Sequence, residues 1–328
     1  MTKNDAAVIV GLGEAMIRLS ARDHEPLAVA RDFRVNVAGA ELNLLITAAQ
    51  LGARARWLTR LPENELGLMM RAHAQSFGVE VCAVEEAQSR AGLFFLETGA
   101  TPRPSRVLYD RRDSAASHLG PEDFEWTEVL RDARVAHLTG ITPALGERPL
   151  AASRAFMSTA RELGLVTSFD VNYRSQLWGL PEARAALTPL LALSDIVFAG
   201  PGDLVVLTGR EGSGDDLARH LLEGVGVSTV VLRERVELGD DQLGVTVRVR
   251  GQVEAEATAS GRVVDQLGAG DAAAGAFLAS MMRGDSGDRA AAYCANAYAR
   301  TLTLPGDSFT GSWVDLEDGF SSSRRLVR

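Results

Sequence analysis

Several short stretches of this chain carry residue types and spacings suited to chemistry. The sharpest is Asp265-Gln266-Leu267-Gly268-Ala269-Gly270-Asp271, between a strand-like Val263-Val264 and an alanine-rich helical run from Ala272 to Met282. Gly268 and Gly270 let a ligand approach the backbone closely. The amides that follow, Ala269 among them, open a helix whose first N–H groups are unpaired at the positive end of its dipole, which makes an anion site. Asp271 stands at the mouth of that site, where a carboxylate can take a proton from a hydroxyl. The plainer reading is a helix cap with packing glycines.

A second stretch, Val37-Ala38-Gly39-Ala40-Glu41-Leu42-Asn43, places a glycine before a helix with Glu41 and Asn43 in its first turn. Those groups can face a sugar, although a capped helix start with Glu41 near the positive dipole end accounts for them equally simply. A third, Phe169-Asp170-Val171-Asn172-Tyr173-Arg174 with Leu177-Trp178, falls at the carboxyl end of a strand, where doubly wound sheets bind ligands. Arg174 there suits a carboxylate or a phosphate. The fourth, Tyr109-Asp110-Arg111-Arg112-Asp113-Ser114-Ala115, reads by itself as a solvated charged loop.

The elements that must position these stretches follow a short-strand, turn, helix rhythm. Apolar runs at 7–10, 56–59, 79–84, 135–138, 165–170, 196–198 and 229–232 read as strands, and residues 41–51 and about 63–77 as helices closed by Gly52 and Gly78. Alternation of this kind implies right-handed crossovers and a mainly parallel sheet covered on both faces. Residues 16–37 and 91–111 break the rhythm and read as a small β insertion, with a hairpin turn at 98–104. Another hairpin is expected from 244–249 and 253–257, and residues 321–328 are expected to fray.

Composition narrows the function classes. The 328 residues carry 34 Lys+Arg against 43 Asp+Glu, a formal charge of −9, with 46% hydrophobic and 23% charged residues. That length suits a large α/β domain with an insertion, and the acidic balance argues against nucleic acid or an anionic membrane as partner. No apolar run is long enough to span a bilayer and the N-terminus lacks signal-peptide character, so a cytoplasmic location is expected. Cys82 and Cys294 are far apart, the five histidines show no metal-ligand spacing, and no metal site is expected. Gly11-Leu12-Gly13-Glu14 has only two of the dinucleotide-fold glycines, and neither a phosphate loop with its lysine nor a serine nucleophile elbow occurs.

Taken together and in order, Gly11-Leu12-Gly13-Glu14, Gly39-Ala40-Glu41-x-Asn43, residues 109–115, Gly140-Ile141-Thr142-Pro143-Ala144-Leu145, Asp170–Arg174 with Trp178, and Gly268-Ala269-Gly270-Asp271 resemble the ribokinase-like (PfkB) sugar kinases. Within that family the chain is similar to the 2-keto-3-deoxygluconate kinases. The resemblance covers residues 1–320 as one kinase domain. It implies a ribokinase-like three-layer α/β/α sandwich with a mainly parallel central sheet and a small β-sheet lid.

The implied reaction is ATP-dependent phosphorylation of the 6-hydroxyl of 2-keto-3-deoxygluconate with Mg²⁺. Asp271 would act as base and the amides of Gly268, Ala269, Gly270 and Asp271 as anion hole. Substrate contacts would come from Gly39, Ala40, Glu41, Asn43, Phe94, Tyr109, Arg111, Arg174 and Asp307. Nucleotide contacts would come from Asn172, Asp203, Arg233, Gly268, Gly270 and Asn296. Lid-mediated homo-oligomers are expected by the same resemblance.

The chain departs from the family pattern mainly on the nucleotide side. Gly200-Pro201-Gly202-Asp203 stands where the family has Asn-x-x-Glu, and Arg233-Glu234-Arg235-Val236-Glu237-Leu238 where it has a glycine-containing nucleotide loop. Asp265-Gln266-Leu267 replaces Asp-Thr-Thr, and Phe94 replaces a lid tyrosine. Two other readings therefore stand beside the first: a kinase for another ketose or sugar acid, and a sugar-acid-binding sensor with weakened catalysis.

Overall fold

The computed structural model describes residues 8–100, 102–239 and 241–317; the expected start of the first strand at residue 7 and the tail at 321–328 lie outside them. The chain opens with β1 (Val8–Leu12), every residue of it buried, then leaves the main sheet for β2 (Met16–Ala21) and β3 (Phe33–Ala38). α1 (Ala40–Gln50) returns it to β4 (Arg54–Pro62), α2 (Glu65–Ser76) and β5 (Val79–Glu86). A second excursion makes β6 (Gly92–Glu97) and β7 (Arg106–Asp110).

After the short α3 (Trp126–Leu130) the alternation resumes with β8 (Ala133–Thr139), α4 (Glu147–Glu162), β9 (Val166–Asp170) and α5 (Leu180–Leu191). It continues through β10 (Ile196–Ala199), α6 (Pro201–Thr208) and α7 (Gly214–Gly224). β11 (Thr229–Gly239), β12 (Gln242–Gly251) and β13 (Ala255–Arg262) form an antiparallel ribbon, followed by α8 (Ala269–Arg283), α9 (Gly287–Leu302) and α10 (Trp313–Glu317).

The nine-stranded sheet has the order β13-β12-β11-β10-β9-β8-β1-β4-β5. It is parallel from β11 to β5 and antiparallel only at the β11–β12 and β12–β13 pairs. Strand alternation feeds two apolar layers. Ile9, Val135, Phe198 and Val231 pack with α1, α8 and α9, while Val8, Val10, Leu138 and Val230 pack with α4, α5 and α7. The architecture is therefore the three-layer sandwich expected. α2 begins where predicted because the Asn64 side chain accepts hydrogen bonds from the amides of Leu66 and Gly67.

The two excursions pair with each other in a separate four-stranded sheet, β3-β2-β6-β7. Its register puts Asn36, Arg18, Phe94 and Tyr109 in one cross-strand row and Val35, Leu19, Phe95 and Leu108 in the next, on opposite faces. Phe94 packs with Met16, Ala38, Tyr109 and Leu267, so the first row faces the loop at 265–271. Val35 and Leu108, at 49% and 60% exposure, face solvent on the other side.

One segment differs from expectation. Residues 233–238, aligned above with a nucleotide loop, continue β11 and pair with β12 through Arg233↔Val247 to Glu237↔Leu243. The run lacks the glycines that a tight loop would need, and its backbone pairs with β12 instead.

Candidate active site

The site forms where β9, α1 and α8 meet beneath the lid. Gly268 precedes α8 with φ +79, a left-handed conformation that glycine adopts freely, and a Cβ there would lie 2.0 Å from the Asp307 carbonyl oxygen. The first bond of the helix runs from the Ala272 amide to the Gly268 carbonyl at 2.8 Å, so the amides of residues 269–271 precede the intrahelical ladder. Asp271 lies in that first turn. Its Oδ2 accepts from Asn43 Nδ2 at 2.8 Å, which ties α1 to α8 at the mouth of the anion turn.

Burial, reinforced by the neighbouring Asp170, pushes the Asp271 carboxyl up to about 7, against the opposing influence of Asn43, Arg174 and Arg233. A carboxylate with that proton affinity near neutrality is matched to general-base work. Asp170 ends β9 and receives Arg233 Nη2 at 2.7 Å on one oxygen, while its Oδ1 is buried without a partner. Arg233 also donates to the Gly270 carbonyl at 2.6 Å. Arg233 thus braces the anion turn from below, and its guanidinium is committed inside the protein instead of being offered to a nucleotide.

Other expected contacts are likewise placed differently. Glu41 is 1% exposed, and its Oε1 accepts from the Thr139 amide, the Thr139 hydroxyl and the Thr142 hydroxyl at 3.1, 2.8 and 2.8 Å. It ties α1 to the end of β8, with Oε1 committed to the two threonines. Burial raises its pKa, while the threonine hydroxyls pull it the other way. Asp203 receives the Gly200 amide at 2.9 Å and the Tyr173 amide at 3.3 Å, so the shortened carboxylate caps α6 and staples the loop after β9. Asn296 on α9 donates to the Leu316 carbonyl at 2.8 Å, which occupies its amide in holding α10. Asn172 takes φ +39, where the chain turns sharply after β9.

Of the residues expected on the substrate side, Tyr109, Arg111 and Arg174 line one cavity. Gly39 precedes α1, with Ala40 as its first residue, and a Cβ at Gly39 would sit 2.3 Å from the Glu14 carbonyl oxygen; only glycine lets these backbones approach. A cavity of about 790 Å³ is lined by Tyr109, Arg111 and Arg174, together with Arg90, Arg112, His118 and Leu177. The ring centroids of Phe94 and Tyr109 are 5.7 Å apart, and the Arg111 guanidinium lies 5.8 Å from the Tyr109 centroid. Arg111 is held by Glu14, whose other oxygen accepts from Ser114 Oγ at 2.5 Å. The side chain of Arg174, exposed on the loop after β9, makes no hydrogen bond or ion pair among the described residues, and its charge reaches Asp271.

Asp307 is 3% exposed, keeps Oδ2 buried without a partner, and is pushed up to about 6 by burial and the neighbouring Asp265, against the pull of Arg18. Sequence reasoning passed over Arg18 and gave no role to Glu14 or Asp265. Their ion pairs join residues 97, 247 and 289 positions apart, and local spacing carries no trace of that.

The described residues include no helix long and apolar enough to cross a membrane. The sequence matches the pfkB family carbohydrate kinases over residues 6–309. It is 35% identical over 301 residues to the 2-dehydro-3-deoxygalactonokinase of Haloferax volcanii, covering 92% of each chain. It is 31% identical over 305 residues to a 2-dehydro-3-deoxygluconokinase of Thermoproteus tenax, covering 92% and 90%. A crystal structure of 2-dehydro-3-deoxygluconokinase from Thermotoga maritima superposes with TM-score 0.91 at 32% identity, covering 97% of this chain and 99% of that one. With a family match across nearly its whole length and the same architecture, this chain belongs to the pfkB family of carbohydrate kinases and is a phosphotransferase acting on a sugar.

Proposed function

We propose that this kinase phosphorylates the 6-hydroxyl of 2-keto-3-deoxygluconate (2-dehydro-3-deoxygluconate) at the expense of ATP. The observation that carries the substrate class is Arg174: an unpaired guanidinium lining the cavity, close enough for its charge to act on Asp271. A cation so placed suits a sugar bearing a carboxylate, and Arg111 and Tyr109 on the lid supply the opposite wall. Gly39 and Asn43 bound the sugar from α1, and the unpartnered oxygen of Asp307 is available to a hydroxyl.

In this reading Asp271 takes the proton of the 6-hydroxyl. The freed oxygen then attacks the γ-phosphorus, and the bond to the β–γ bridging oxygen breaks to release ADP. The amides at 269–271 stabilise charge on the phosphoryl oxygens in flight. Mg²⁺ characteristically uses one or two carboxylates plus the nucleotide phosphates, and the free Oδ1 of Asp170 fits that donor set. When bound, the ion would neutralise phosphate charge. Residues 1–320 are taken as one catalytic domain, and the apolar lid row of Val35, Leu19, Phe95 and Leu108 as the surface joining two copies.

A second acceptor, 2-keto-3-deoxygalactonate, is favoured by the name of the Haloferax volcanii relative. The two acids differ only in the configuration at C4, so the same carboxylate clamp serves both. The test is ADP release with ATP and Mg²⁺ on both keto-deoxy acids, fructose, ribose and gluconate. Turnover confined to one or both keto-deoxy acids is expected. Preference for a neutral sugar would overturn the acid specificity, and acid binding without turnover would favour the sensor reading.

A further inference from the structure

Arg18 is 2% exposed and lies on the inner face of β2, between Asn36 and Phe94 in the lid row. All of its guanidinium nitrogens are engaged. Nε donates to Ser20 Oγ at 2.8 Å, Nη1 to Asp307 Oδ1 at 2.9 Å, and Nη2 to Asp265 Oδ2. The two carboxylates belong to the segments that build the anion turn from either side. Asp265 also accepts the Leu267 amide at 3.2 Å and the Gly306 amide at 3.1 Å, and the Asp307 carbonyl packs directly against Gly268.

A buried carboxylate, Asp307, and a partly buried one, Asp265, beside amides that must hold a phosphoryl group would repel each other and the phosphate. A guanidinium between them removes that repulsion and fixes their separation, because its planar fork reaches both at once. A lysine, with one ammonium, cannot reproduce that span. The lid also gains a rigid link to the turn: β2 cannot shift without pulling on both carboxylates.

We propose that Arg18 is a positioning residue for phosphoryl transfer: from the lid it clamps Asp265 and Asp307, setting the geometry and local charge of the turn at 268–271. This rests on reading that turn as the phosphoryl-transfer site. In full-length Arg18→Ala, kcat should fall about tenfold or more while the KM values for sugar acid and ATP change by less than about threefold. Millimolar guanidinium chloride should restore part of the lost kcat and leave the wild type unaffected. Arg18→Lys should be intermediate.

A folded Arg18→Ala protein with wild-type kcat, or one whose lost kcat guanidinium does not recover, would overturn the proposal. Should Arg18→Ala fail to fold, a wild-type kcat in Arg18→Lys would do the same. Normal turnover in Asp271→Asn would instead undo the phosphoryl-transfer reading itself, so the two failures are distinguishable.

Discussion

At the scale of single residues, the account turns on a carboxylate whose proton affinity is lifted by burial and on a cation left without a partner. With the Asp271 carboxyl at about 7, kcat/KM should rise with pH up to about that value and level off above it, since the base must be ionised to accept the hydroxyl proton. A pH–rate profile flat through that region would contradict the assignment. The same shift has a stability signature. The folded pKa exceeds the ordinary aspartate value of 3.8, so the folded state holds the extra proton between the two values and this group's stabilisation is lost as pH rises toward 7. Asp271→Asn should therefore be more stable than the wild type at about pH 8, with the margin shrinking toward about pH 5, as melting temperatures across that range would register. Arg174→Ala should weaken sugar-acid binding by about 2 kcal/mol, close to thirtyfold, in titration calorimetry; unchanged affinity would remove Arg174 from the carboxylate clamp. Asp271 and Arg174 can be singled out as candidates because each sits beside a turn whose glycines or strand-end position suit a ligand. The structural tie of Glu41 was not legible for the opposite reason: its three acceptor bonds come from Thr139 and Thr142, about a hundred residues away in sequence.

At the scale of elements, the strands of the parallel sheet and the helices α1 and α2 could be read directly from apolar runs and their closing glycines. The β insertion was recognisable as a break in that rhythm. Its pairing was not, because β2–β6 contacts join residues some seventy-five positions apart and depend on register. The run at 233–238 forms strand instead of a loop because its backbone pairs with β12, a pairing that alignment to a loop does not reveal. Glu41 yields a prediction at this scale. Glu41→Ala removes the acceptor of the Thr139 amide and hydroxyl and leaves the Thr142 hydroxyl only the Leu12 carbonyl at 3.4 Å, so it should destabilise the fold by about 2–4 kcal/mol in denaturant unfolding. A residue that served only as a sugar contact would raise KM and leave stability unchanged. The anion turn is equally exacting. Gly268→Ala places a Cβ against the Asp307 carbonyl in a left-handed conformation, so loss of both stability and turnover is expected.

At the scale of the whole molecule, the sandwich supplies strand ends for the chemistry and the lid brings cations and aromatic rings down onto them. The outer row of the lid, with Leu108 at 60% and Val35 at 49% exposure, has the apolar character of a surface that pairs with a copy of itself. The proposed lid pairing predicts an oligomeric wild type and a monomeric Leu108→Glu in light scattering after size exclusion; a monomeric wild-type protein would exclude lid pairing. The departures on the nucleotide side also resolve at this scale. Arg233, Asp203 and Asn296 are engaged in holding the turn at 268–271, α6 and α10, which leaves the amides at 269–271 as the proposed phosphate contact. The most direct measurement of the central claim is the single-turnover rate of Asp271→Asn with the preferred keto-deoxy acid, alongside the affinity of that acid. The account predicts a rate at least about a hundredfold below wild type with affinity nearly unchanged. A rate close to wild type would contradict it.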